Sequence, residues 1–325
     1  MGKVNISMLN VLYQFDDKYA PYAGISILSL LESNKGSYLI IHCAAMGVSI
    51  QNKKKIESMI QQYGQKISWI DVTEPISMIN KLGVGAWNGS YATWLKMFVI
   101  HKMGDDVEKL LYLDCDTLVI NSISNLFDID LSDCSLACAY DSVARSTARK
   151  IGVSAYYNAG VILFNVKRWK EPCFFENMYI HLEKNVTNYT DNDQRLINDY
   201  FRNEIKVLPV KYNLQCTHLA YSDKCYFGVY KDGRYYTESD ISEARIAPVI
   251  YHFFRFLGDY PWEDGNIHPL RNEFQHWKEL SKWSDEPMLL KRKKIVFRIE
   301  KLLYYVLPRG VFLYIFKFMQ DKLGF

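Results

Sequence analysis

Two carboxylates, Asp114 and Asp116, stand at the end of the apolar run Leu110–Leu113, and a second apolar run, Leu118–Ile120, follows at once. Continuous apolar character of this kind marks a strand buried on both faces, as in a sheet covered by helices. Ligands of such sheets bind outside the carboxyl ends of the strands. Two acids crowded there repel each other and lose hydration, which a divalent cation placed between them and a ligand relieves. A pair of oxygen donors that leaves other coordination positions open suits Mg²⁺ or Mn²⁺ holding a diphosphate. A strand that ends in a polar loop with two solvated acids would be spelled the same way.

Strand followed by Asp-x-Asp also serves the haloacid-dehalogenase phosphatases, where the first acid is a nucleophile. Their pattern, Asp-x-Asp-x-Thr near the N-terminus, is not met here. Thr117 directly follows the second acid, and the motif lies more than a hundred residues into the chain.

The elements that must position these acids alternate along the chain. Asn5 to Phe15 reads as a first strand, ending in Asp16 and Asp17. Tyr19 to Glu32 has helical spacing, with Ile25, Leu28 and Leu31 on one side. Tyr38 to Ala45 is a second strand, Asn52 to Tyr63 a polar Lys-rich helix, and Lys66 to Val72 a third strand. Ser90 to Met103 reads as one buried helix before the strand Leu110 to Leu113. Such alternation predicts right-handed βαβ units and a doubly wound α/β sheet. Parallel strands would bring Asp16 and Asp114-x-Asp116 to one sheet edge, where an acid can bond a base or ribose while the later pair holds a metal. There is no Gly-x-Gly-x-x-Gly and no Walker A loop, so phosphate charge must be met by metal and side chains.

Composition sets the outer bounds. The 325 residues are 49% hydrophobic, enough for one large domain with an appendage. Tyrosine, at 24 residues, suits carbohydrate, whose C–H faces pack on rings and whose hydroxyls bond the phenol. Seven cysteines, an odd number without a Cys-x-x-Cys, read as thiols of a reducing compartment rather than a disulfide frame or zinc site. The N-terminus shows no secretory apolar stretch, and Ile6 occupies the Ser/Thr position of a myristoylation signal. The sequons at Asn5, Asn88, Asn185 and Asn188 then read as chance matches. Net charge is +3, but Lys291 to Lys322 carries about +7, leaving the body near −4 and unsuited to nucleic acid.

Six motifs occur in order: Asp16-Asp17 with Tyr19, then Tyr112 to Val119, Tyr156 to Asn165, Asp193 to Asn198, Leu208 to Asn213, and Ile250 to Phe253. Together they resemble glycosyltransferase family 8, the retaining bacterial lipopolysaccharide galactosyl- and glucosyltransferases, over about residues 5 to 275. The resemblance implies a GT-A fold, a Rossmann-like mixed sheet flanked by helices, as a catalytic domain over 1–275, with a C-terminal amphipathic helical tail over 276–325. It implies a UDP-hexose donor, a saccharide or glycolipid acceptor and Mn²⁺ (or Mg²⁺) held by Asp114, Asp116 and His252. It places Asp16 on the uridine, Asn158 and Ala159 beside the donor sugar, and Asp193 and Gln194 at the reacting carbon. Cys115 and Gly258 fall in the donor-binding segments.

Three departures from the family pattern stand out. Lys18 replaces a common Asn at a ribose contact. Lys96 replaces an arginine near the phosphates, keeping the charge but not the bidentate fork. The loop after the histidine, Phe254 to Trp262, is longer than the family's Gly-x-x-Lys-Pro-Trp, with Tyr260 in place of the lysine. Arg255 is the compensating cation in this reading. An inactive sugar-nucleotide-binding module is the alternative that this loop raises.

In the implied reaction, charge on the departing UDP is neutralised as the anomeric C–O bond breaks, and the acceptor attacks from the same face, retaining configuration. The leaving phosphate oxygen takes the acceptor's proton, or a covalent glycosyl-enzyme forms on Asp193 or Gln194. In the tail, Lys291, Lys294, Arg298 and Lys301 fall on one helical face, and Ile295, Ile299, Leu302, Leu303 and Val306 on the other. Pro308 to Gly310 breaks this helix, and the apolar segment Val311 to Met319 follows. No uncharged run reaches the roughly 18 residues of a membrane span. Lys291 to Phe325 therefore reads as lying in an anionic membrane surface, which places the enzyme peripherally on the inner face of the plasma membrane, in the cytoplasm. A helix packed on the body is the competing reading.

Overall fold

A computed structural model describes residues 8–86, 90–189, 193–231 and 234–323, with the side chains of 320–323 left out. Asn5, Asn88 and the start of the expected first strand lie outside the described residues, as do the last two residues of the tail. The chain divides into two compact units: Met1–Ala139 with Tyr157–Leu208, and Tyr140–Tyr156 with Pro209–Phe325.

The first unit is built on a sheet. Its strands are β1 (Met8–Asp16), β2 (Tyr38–Met46), β3 (Lys66–Ile70), β4 (Lys109–Leu113), β5 (Thr117–Val119), β6 (Leu136–Tyr140), β7 (Tyr157–Asn165) and β8 (Ile205–Val207). All but β5 form one sheet in the order β3-β2-β1-β4-β7-β6-β8. The first four strands pair in parallel, as expected from the alternation. β4 and β7 run antiparallel, so the sheet is mixed. Leu9, Val11, Leu12, Tyr13 and Phe15 of β1 are all buried, as are Leu110 to Leu113, because helices cover both faces.

Helix Ala20–Ser33 carries Pro at its first turn, where the missing N–H costs nothing. Its serines work inward: Ser29 Oγ accepts from Val119 N (2.9 Å), and Ser33 Oγ donates to Val119 O (2.8 Å). Helix Ile50–Gln62 is capped by Ser49 and buries only Ile56, Met59 and Ile60, with Lys53 lying over the Trp69 ring and Lys54 exposed. The single helix expected over Ser90 to Met103 is instead a 3₁₀ turn (Ala92–Trp94), a short α-helix (Leu95–Val99) and a second 3₁₀ turn (Ile100–Lys102). A helix Thr73–Leu82, closed by Gly83 in the left-handed region at φ 68°, was not foreseen.

The second unit pairs β9 (Leu214–Gln215) with β10 (Ile250–His252) in parallel. Around them lie the helices Asp223–Val229, Glu238–Ile246, Arg271–Leu280, Ile295–Val306 and Arg309–Leu323. Its core joins Leu214, Tyr226, Tyr230, Phe256 and Leu257 with Phe312 and Leu313 of the last helix. The tail thus packs on its own unit through one side. Its other side leaves Ile295, Ile299, Leu302, Val306, Tyr314 and Phe318 exposed. Lys301, grouped by helical spacing with Lys291, Lys294 and Arg298, turns inward to Asp259. No described helix is long and apolar enough to cross a membrane.

Candidate active site

In the first unit the turn that carries the acids is locked from beneath. Thr117 Oγ1 donates to Asp114 O (2.8 Å) and bonds Ser26 Oγ (3.1 Å), which in turn meets Tyr13 OH (3.1 Å). Asp114 N donates to Gly160 O (2.8 Å), tying the turn to β7. Cys115 points into the body, its thiol donating to Gln14 O (3.4 Å), and burial raises its pKa well above the ordinary value. Tyr112 donates its hydroxyl to Asp114 Oδ1. Burial above all, then the Asp114 charge, raises the Tyr112 pKa, so the hydroxyl keeps its proton and acts as a donor.

The same Tyr112 ring lies under Lys96, whose Nζ is 4.1 Å from the ring centroid. Lys96 is 1% exposed, and its Nζ meets Asp193 Oδ2 at 2.7 Å. Burial raises the Asp193 pKa even though Lys96 pulls it down. Gln14 holds this segment in place: its Oε1 accepts from Lys96 N (2.7 Å) and its Nε2 donates to Thr93 O (2.9 Å).

Helix Asp193–Tyr200 follows the pattern and places Gln194 against β7. Gln194 Oε1 accepts from Asn158 Nδ2 (3.2 Å) and Ala159 N (3.1 Å). A backbone N–H can only donate, so the side-chain oxygen is the atom that faces β7. Asn158 Oδ1 accepts from Gly160 N (3.0 Å). Asn198, the last residue of the Asp193 motif, clamps the arrangement by bonding both Tyr157 N (2.6 Å) and Tyr157 O (2.8 Å), with a further bond to Gln194 O. The first unit therefore brings together Lys96, Asp114, Asn158, Ala159, Asp193 and Gln194. Sequence reading missed Gln14, Tyr112 and Asn198 as supports, although the last two stand inside motifs it had singled out.

The acids that end β1 take different roles. Asp17 accepts from Ser49 N and Asn52 Nδ2, both at 2.8 Å, and these bonds hold its carboxyl below the usual range. Asp16 accepts from Tyr19 N (3.1 Å) in a turn at the strand's exit, beside the exposed Lys18.

In the second unit His252 ends β10, is buried, and has Nδ1 3.1 Å from Asn213 Oδ1. With that carbonyl as acceptor the proton sits on Nδ1 and the lone pair on Nε2, the tautomer a metal needs. Arg255 is exposed and lies over the Phe297 ring (4.7 Å). Gly258 has φ 81° and stands in a turn with Leu257 at φ 48°. Tyr260, in the place of the family's lysine, stacks on Trp262 at 4.6 Å.

Asp114 and Asp116, on one turn of the first unit, each offer a carboxylate oxygen that could ligate a metal ion. Carboxylate oxygens suit a hard divalent cation such as Mn²⁺ or Mg²⁺ better than a soft thiophilic ion. All seven cysteines are free, four of them buried, so none is held in a disulfide.

The model of glycosyl transferase family 8 matches residues 10–264. General stress protein A of Bacillus subtilis is 22% identical over 85% of this chain and 95% of its own length. The lipopolysaccharide 1,3-galactosyltransferase of Salmonella typhimurium is 24% identical over 85% of this chain and 79% of its length. Among solved structures, the galactosyltransferase LgtC in complex with donor and acceptor sugar analogs superposes with a TM-score of 0.68, at 22% identity, over 84% of this chain and 96% of that one. This last likeness speaks to the fold, which is the GT-A-like mixed sheet flanked by helices.

Proposed function

Since the chain belongs to glycosyl transferase family 8, we propose that it moves galactose or glucose from a UDP-sugar to a saccharide or lipid-linked saccharide acceptor, with retention of configuration. It is a glycosyltransferase similar to those that build lipopolysaccharide. The observation that carries the finer reading is the joined set in the first unit. There Tyr112 links the Asp114 carboxylate to the Lys96–Asp193 pair, and Gln194 is pinned to Asn158 and Ala159. Donor sugar recognition and metal ligation would then share one rigid support.

In this reading Asp114, Asp116 and His252 hold Mn²⁺ (or Mg²⁺), which when bound neutralises charge on the leaving diphosphate. Asp16 and Lys18 meet the uridine and ribose, Cys115 sits with the donor through its backbone, and Asn158 and Ala159 face the sugar. Arg255 and Gly258 belong to the diphosphate segment, with Lys96 acting through Asp193. The hydrogen bonds held by Gln194 Oε1 and the ion pair held by Asp193 reduce the nucleophilicity of both. This favours attack by the acceptor hydroxyl on the face the phosphate leaves, its proton passing to the leaving phosphate oxygen. Thr117 is spent on Asp114 O and Ser26, in keeping with a transferase rather than a phosphatase turn.

The exposed apolar side of the tail, with Arg292, Lys294 and Arg298 also exposed, supports peripheral attachment to an anionic cytoplasmic membrane face, where a lipid-linked acceptor would lie. The test is UDP release from UDP-glucose, UDP-galactose and their N-acetyl forms, with and without Mn²⁺, in the wild type and in Asp116→Ala. Metal-dependent release with a single hexose donor, abolished in the variant, is expected. Release that ignores both metal and Asp116 refutes the assignment.

A further inference from the structure

The segment that follows His252 is held by the tail of its own unit. Phe256 and Asp259 exchange backbone hydrogen bonds (2.8 and 2.9 Å), closing a two-residue turn whose central residues, Leu257 and Gly258, both have positive φ. For Leu257 this left-handed backbone costs on the order of 1 kcal/mol, so surrounding contacts must impose it. Most of those contacts come from the chain's last fifty residues. The Asp259 carboxylate is fully buried. It meets Lys293 Nζ at 2.6 Å and Lys301 Nζ at 2.5 Å, and accepts from Ile267 N at 3.0 Å. Lys293 also donates to Gly258 O (3.0 Å) and pairs with the buried Glu263. A Cβ on Gly258 would stand 2.4 Å from the Phe297 ring, and Phe256 packs edge-to-face on Tyr304 (5.5 Å). Lys293, Phe297, Lys301 and Tyr304 recur at spacings of four, four and three residues, one stripe of helix Ile295–Val306 and its approach.

We propose that Lys293, Phe297 and Lys301 are positioning residues that clasp the turn Phe256–Asp259, so that the tail sets the affinity for a nucleoside diphosphate sugar. The inference rests on the reading that the segment after His252 meets the donor diphosphate, and it deepens that reading. Arg255, the exposed cation of that segment, rests on Phe297 and so takes its place from the same helix. The tail then acts in donor binding whether or not a membrane is present.

The experiment uses the full chain, with Lys301→Met, Lys301→Arg and Phe297→Leu. UDP affinity is read by calorimetry, KM and kcat for the donor by UDP release, and amide hydrogen exchange over residues 253–263 by mass spectrometry. Lys301→Met keeps Lys293 on Asp259, and Phe297→Leu takes away the ring that lies beside Gly258 and under Arg255, so the two disturb the clasp by independent routes. Both are expected to weaken UDP binding and raise donor KM about tenfold, with kcat within twofold and exchange accelerated in this segment. Lys301→Arg should restore most of the affinity. Faster exchange with unchanged UDP affinity and KM overturns the proposal, as does unchanged exchange. No UDP binding by the wild type would instead sink the underlying donor reading, a distinct result.

Discussion

Asp193 and Asp259 are both aspartates held by lysine in the interior of their units, yet burial wins at one and the cations win at the other. Asp193 meets a single ammonium, Lys96, and desolvation raises its pKa in spite of that partner. At Asp259 burial also pulls upward. Hydrogen bonds from Lys293 and Lys301, joined by Ile267 N–H, outweigh it and hold the carboxyl below its ordinary value. One charge-assisted partner does not replace the water a carboxylate loses, whereas three donors do. The lone pair at Asp193 is thus poised and fragile, whereas the Asp259 carboxylate stays charged and paired when one lysine is lost.

The largest effect should come from removing the single partner. Lys96→Met leaves Asp193 buried without a counter-charge, at a cost of about 3–5 kcal/mol. Lys301→Met leaves Lys293 and the Ile267 amide on Asp259, and should cost about 1 kcal/mol, since the lysine is partly exposed and its charge screened. Urea midpoints of the two variants measure the difference. Equal losses would break the comparison, for redundancy at Asp259 would then mean nothing.

pH separates the two sites by sign. With a raised folded pKa, Asp193 contributes stability below the unfolded value near 3.8 and loses it as pH rises through the folded pKa. With a lowered folded pKa, Asp259 contributes above 3.8 and loses that contribution as pH falls through its folded value. Melting temperatures from pH 3 to 6 should therefore show the wild type gaining on Asp259→Asn as pH rises and falling back against Asp193→Asn. Parallel profiles would refute the assigned directions.

Tyr112→Phe tests how far the first-unit pair reaches. The ring stays over Lys96, and only the hydrogen bond to Asp114 is lost. A stability loss of about 1 kcal/mol is expected. Mn²⁺ affinity, read by electron paramagnetic resonance without donor, should fall about 10-fold, as for other outer partners of metal ligands. Unchanged affinity would confine Tyr112 to the core.

The sequence made the first four strands legible because each is a compact apolar run flanked by helical spacing, and the acids mark their carboxyl ends. The direction of β7 was hidden: a strand buried on both faces reads alike whichever way it runs. The interruption of the segment after Ser90 was hidden too, since apolar periodicity does not tell a 3₁₀ turn from an α-helix. Asp193 and Gln194 were found through a motif, as were Lys96, Asn158 and Ala159, but not which of them meet. That Lys96 meets an aspartate 97 positions later is a matter of tertiary approach, which local pattern does not carry. The tail shows the same limit. Helical spacing grouped Ile295, Ile299, Leu302 and Val306, which are exposed together, but it put Leu303 with them although it packs on the core, and Lys301 with Lys294 and Arg298 although it meets Asp259, which nothing nearby announces.

The smallest effect on the fold is expected on the face of that helix turned away from Asp259. Leu302 is 61% exposed, so Leu302→Glu removes little buried surface and should shift stability by less than about 0.5 kcal/mol. Its neighbour Lys301 would keep its ion pair, and donor KM should not move. Binding to vesicles carrying anionic lipid is a separate matter. A carboxylate set among Ile295, Ile299 and Val306 would have to be drawn into the headgroup region against a like-charged surface. Sedimentation with such vesicles should therefore fall severalfold in Leu302→Glu, and uncharged vesicles should show weak binding for both proteins. If the variant sediments as the wild type does, this face is not the membrane contact. If donor KM rises as well, the two faces of the helix are coupled, and Asp259 is less insulated by its three donors than the comparison with Asp193 requires.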